Sequence, residues 1–69
     1  MSYHRNTIRL IRIEYEAIEN GWNKKYPRTC FCEEVARKSG EMGNDYPSDK
    51  AIEIALKMLE KLKKSNRES

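Results

Sequence analysis

Between Ser48 and Lys64 the polar residues Lys50, Glu53, Lys57, Glu60 and Lys64 recur at i, i+3 and i+7 intervals, the rhythm of one narrow helical strip. Up to Leu62, and apart from Lys61 at the strip's edge, the residues between them are apolar. Ala51, Ile52, Ile54, Ala55, Leu56, Met58, Leu59 and Leu62 cover roughly 200° of the surface, about twice the stripe of an ordinary surface helix. This pattern predicts a central helix over about 48–64, gripped from both flanks. Ala51 and Ala55 would let another backbone approach, with Ile52 and Leu56 on one side and Ile54 and Met58 on the other.

A second periodic segment starts near Thr7. Ile8, Ile11, Tyr15, Ile18 and Trp22 recur at i, i+3, i+7, i+10 and i+14, a heptad-like stripe that predicts a helix over about 7–20 with this stripe turned to the core. Gly21 supplies a C-terminal cap, with Trp22 folding back on the last turn. Leu10, Ile13 and Ala17 lie nearly opposite, and are either left over for a partner or packed beneath loops of the same chain. A strand is the competing reading, since Ile11, Ile13, Tyr15 and Ala17 alternate with polar residues and Asn20-Gly21 is a favoured hairpin turn. Helix is preferred because the heptad stripe is longer than the alternation, and because Pro27 and the lysines make a poor return strand.

The remaining segments connect these two. Met1 to Asn6 reads as a polar lead with His4 a solvated side chain, and Trp22 to Thr29 reads as a loop in which Pro27 extends Tyr26. Thr29 can cap a short helix over about 30–39, with Phe31, Cys32, Val35 and Ala36 inward and Gly40 ending it. Glu41 to Pro47 is rich in turn residues, Ser48 caps the principal helix, and Ser65 to Ser69 frays. The expected fold is therefore an all-α, three-helix single domain over residues 1–69, with its last helix central. The alternative is an α+β domain with an N-terminal strand or hairpin.

Size sharpens the question of partners. A 69-residue chain buries only about 60% of the surface its unfolded form exposes, so a wide apolar helix in so short a sequence points to self-association as a homodimer. Charged residues make up 36% of the chain and the net charge is +3, compatible with an acidic partner but also with an ordinary solvated surface. Arg5, Arg9 and Arg12 precede any acid, and Glu14, Glu16 and Glu19 follow directly. No apolar run is long enough to cross a bilayer and no signal-peptide core is present, so a cytoplasmic protein is expected, with no membrane partner.

Little in the sequence speaks for catalysis. Cys30 and Cys32 are too few, with one distant histidine, for a zinc site, and neither metal nor cofactor is expected. No nucleophile–base set, paired carboxylates in a pocket or phosphate loop appears, so neither an enzyme nor a small-molecule substrate is expected. The expected function is binding to a protein, as a small homodimeric regulator, inhibitor or accessory subunit, through Leu10, Ile13 and Ala17 together with Ile54 and Met58. The alternative is a DNA- or RNA-binding regulator. In it the loop residues Trp22, Lys24, Lys25, Tyr26 and Arg28 alternate rings that stack on bases with cations that contact phosphate.

Overall fold

The computed structural model describes residues 4–68, and all its regular elements are helices, with no strand among the described residues. Four helices follow in order: α1 (Arg5–Glu19), α2 (Trp22–Lys25), α3 (Phe31–Ser39) and α4 (Asp49–Glu68). The N-terminal strand is thus excluded, and α1 is one uninterrupted helix across the ambiguous segment.

Each helix end has a local cause. His4 precedes α1 in an extended conformation and its Nδ1 accepts from the Asn6 backbone N–H at 3.3 Å, so the helix begins two residues before Thr7. His4 is exposed, as expected, and its ring stacks on Tyr46 with centroids 4.9 Å apart. At the other end Gly21 adopts φ +93°, the left-handed conformation that glycine reaches without steric cost. The reversal at Gly21 directs the next residues into a helical turn, closed by Lys25 N–H to Gly21 C=O and Tyr26 N–H to Trp22 C=O. This turn, α2, replaces the first half of the predicted loop. Gly40, at φ +74°, ends α3 as expected, and the Glu41 N–H reaches back to the Ala36 carbonyl at 2.9 Å.

The two long helices run side by side in the same direction. Asn6 meets Asp49 at one end, Glu16 pairs with Lys63 higher up, and Asn66 donates to the Asn20 carbonyl at the other end. Parallel neighbours cannot be joined by a short turn, so α2, α3 and the 40–48 connection form the return path. Along it, Cys30 lies beside Glu14 and the far end of α3 shares a cleft with Thr7 and Leu10.

As predicted, α4 is the central element, packed against both α1 and α3. Ala51, Ile52, Ala55, Leu59 and Leu62 are buried in one cluster with Ile13, Ala17, Trp22, Phe31 and Val35. The grip is uneven, however. Ile52 is buried while Leu56, on the same flank, is 46% exposed, and Ile54 and Met58 are half-buried. The helices of so short a chain are too few to close over the full apolar arc.

The larger departure concerns which face of α1 turns inward. Asn6, Ile13 and Ala17 are buried and Leu10 packs against the cluster, whereas the stripe expected in the core faces solvent except for Trp22, which is buried. Two features fix this choice. Ala17, fully buried, puts little bulk between α1 and the core, and Asn6 finds its partners only at the start of α4. Its Nδ2 donates to the Pro47 carbonyl at 3.1 Å and to Asp49 Oδ1 at 3.0 Å.

Candidate interaction surfaces

With the inner face of α1 committed to the core, its outer face carries four large apolar residues into solvent. Ile8 is 41% exposed, Ile11 41%, Tyr15 64% and Ile18 39%. Their 3-4-3 spacing is that of the seam positions of a two-stranded coiled coil. Arg5, Arg12 and Glu19, seven residues apart, line one flank of the seam, and all three are exposed with no ion pair among the described residues. The other flank, bearing Glu14, adjoins α3, where the Cys30 thiol donates to Glu14 Oε2 at 3.8 Å.

The five residues predicted to bind a protein partner fall elsewhere. Ile13 and Ala17 lie inside the chain's own core, and Leu10, Ile54 and Met58 are half-buried. Leu10, Ile13 and Ala17 are packed within the chain, but against the helical core rather than beneath its loops.

The aromatic and basic residues of 22–28 are divided between two places. Trp22 is buried, its indole N–H donating to the Thr29 carbonyl at 2.8 Å and its ring set edge-on to Phe31 at 5.1 Å, so it is not available to stack on a base. Tyr26 rests on Trp22 at 4.3 Å and is partly exposed, with Lys25 Nζ 5.9 Å from its centroid. Arg28 lines a different cleft, beside Glu14, Ile18 and Thr29, and Lys24 is exposed. Tyr26 and Lys25 instead share a groove of about 270 Å³ with residues far away in sequence: Glu34 and Lys38 from α3 and Met58, Lys61 and Leu62 from α4. Sequence spacing could not reveal that grouping.

A second cleft, of about 280 Å³, opens between α1, α3 and the 41–47 connection, with Leu10, Val35 and Tyr46 among its lining. Thr7 Oγ1 on its wall is buried with no hydrogen-bond partner among the described residues. Cys32 borders the same cleft. Burial first, and then the neighbouring Glu14 carboxylate, push its thiol up to about 12, so it is protonated at neutral pH and a poor nucleophile or metal ligand. Cys30 is exposed, and both thiols are free. No group of three metal-ligating side chains occurs among the described residues.

The 41–47 connection is fastened by Glu41. Its carboxylate accepts from the Ser48 backbone N–H at 3.0 Å and from the Ser48 hydroxyl, while Ser48 Oγ accepts from the Ala51 N–H at 3.3 Å. The hydroxyl and backbone donors of Ser48 hold the Glu41 carboxyl below the usual carboxylate range. No helix in the described residues is long and apolar enough to cross a membrane. No protein-family model, curated protein or solved structure matches this chain.

Proposed function

We propose that the protein is a non-catalytic interaction module, a small regulator or accessory subunit, which works as a homodimer through the outer face of α1. The observation that carries this reading is the seam of Ile8, Ile11, Tyr15 and Ile18, which no other helix among the described residues covers. Charge identifies the second copy as its occupant. The first half of α1 carries Arg5, Arg9 and Arg12 and the second half Glu14, Glu16 and Glu19, so the helix complements its own reverse. In an antiparallel pair about a two-fold axis, Ile8 faces Ile18 of the copy, Ile11 faces Tyr15, and Arg5 meets Glu19 at both ends. Near the axis the two Arg12 side chains on one flank and the two Glu14 side chains on the other bring like charges together, at a cost of roughly 0.2–0.5 kcal/mol for each pair. A parallel pair would set Glu14 against Glu19 and leave Arg12 opposite the uncharged Thr7.

A seam from Ile8 to Ile18 is about 15 Å long, placing the interface at the small end of specific contacts and its dissociation constant on the order of tens of micromolar. Sedimentation equilibrium between about 1 and 500 µM is expected to show a monomer–dimer equilibrium that Ile11→Lys abolishes. Arg5→Glu and Glu19→Arg should each weaken association several-fold, and the double variant carrying both should recover it. A strict monomer across that range would overturn the reading. Loss of dimer in both single variants without recovery in the double variant would overturn the antiparallel arrangement.

A further inference from the structure

We infer that the groove between α2, α3 and α4 is a binding site for single-stranded nucleic acid, with Tyr26 stacking on a base and Lys25, Lys38 and Lys61 contacting the adjoining phosphates. Three lysines from three separate helices converge on one concavity, and the only acid among its lining residues is Glu34. Glu34 is itself engaged by Arg37 at 3.9 Å, which removes part of its opposing field. Lys38 and Lys61 are exposed and make no ion pair among the described residues, while the Lys25 ammonium is held by the Ser65 hydroxyl at 2.9 Å. Such an arrangement leaves a net concentration of positive charge, the field that attracts a phosphate chain.

The floor of the groove adds what a plain cationic patch lacks. Met58 and Leu62 supply an apolar base, and the partly exposed ring of Tyr26 is backed by the buried Trp22. A ring held at a fixed tilt by a second ring is a preorganised stacking platform, with little side-chain freedom to lose on binding. Bases in a duplex are already stacked on one another, so this platform favours single strands.

The groove lies away from the outer face of α1, so its occupancy does not depend on dimerisation. The test is fluorescence anisotropy with labelled twelve-nucleotide single strands of DNA and RNA, the matching duplex, and inorganic polyphosphate as competitor, from 20 to 200 mM salt. Binding should weaken with salt with a log–log slope of about −2, as three phosphate contacts require. Lys38→Ala and Lys61→Ala, both at exposed positions, should each reduce that slope by about 0.7. Tyr26→Leu should lower affinity five- to tenfold or more at an unchanged slope. Circular dichroism checks that each variant is folded. Absence of binding at 20 mM salt would overturn the site. So would indifference to both lysine substitutions. Equal binding of duplex, or equally effective competition by polyphosphate, together with no effect of Tyr26→Leu, would reduce the groove to a general anion patch and overturn its preference for bases.

Discussion

Asn6 illustrates how much one side chain decides in a domain of this size. It is buried, it donates to both Pro47 and Asp49, and it joins the N-terminal ends of α1 and α4, forty-odd residues apart in sequence. Asn6→Ala is expected to cost about 1–2 kcal/mol in thermal unfolding followed by circular dichroism, because it leaves the Pro47 carbonyl without its donor. Asn6→Asp should cost more at neutral pH, where it sets two carboxylates against each other, and should recover part of the loss in acid. Glu41 gives a second pH-dependent effect of known sign. Its folded carboxyl titrates below the ordinary range, so the stability it contributes is complete above the unfolded value of about 4.3 and is lost as pH falls through the folded value. The melting temperature of wild type relative to Glu41→Gln should therefore hold a constant lead above about pH 5, and that lead should vanish with further acidification. A lead that grows in acid would contradict the assigned Ser48–Glu41 contacts.

At the level of elements, α1 is a helix with two usable apolar faces, and the fold chose the less bulky one. Ala17 is fully buried, and Ala17→Leu should destabilise by about 1–3 kcal/mol through overpacking against the core. Ile11→Lys on the outer face should change the stability of the dilute monomer by no more than about 0.5 kcal/mol. Urea denaturation of the two variants at low micromolar concentration separates these outcomes, and the reverse order would mean the helix had been placed the wrong way round. The central position of α4 was legible because its pattern admits only one inner face, but its full extent was not, since the helix runs on to Glu68 through residues 65–68 that were expected to fray. The orientation of α1 was not, since Ile8, Ile11, Tyr15 and Ile18 outweigh Leu10, Ile13 and Ala17 in hydrophobicity. The deciding contacts of Asn6 lie in another part of the chain, and no periodicity records them. Asn6 does extend the inner set at the same spacing, which is the one sign of it in the sequence. The helical turn after Gly21 was missed for a different reason: Pro27 and the lysines suggested a loop, whereas it was the left-handed glycine that set the path of the next four residues.

For the molecule as a whole, the parallel course of α1 and α4 brings both helix N-termini to one pole and both C-termini to the other. Backbone dipoles of equal direction lie poorly side by side, and the offsetting charges come from α4 and the 41–47 connection, since α1 itself begins with Arg5 and ends with Glu16 and Glu19. Glu41 and Asp49 sit by the positive ends, and Lys61, Lys63, Lys64 and Arg67 fall in the last turns of α4. The same basic end of α4 contributes Lys61 to the groove, so the charge that eases helix packing is also the charge that favours a phosphate chain. The candidate surfaces were legible only in part. Lys25 and Tyr26 stood out in the sequence, but Lys38 and Lys61 joined them only through the fold.

Trp22 is the only tryptophan in the chain, and it is enclosed by Phe31, Tyr26 and the Thr29 carbonyl. Its ultraviolet emission is therefore a built-in optical probe. Unfolding exposes the indole to water and moves the spectrum to longer wavelength, while a base settling on Tyr26 quenches the light of a chain that stays folded. One chromophore thus distinguishes loss of structure from occupation of the groove, without any label.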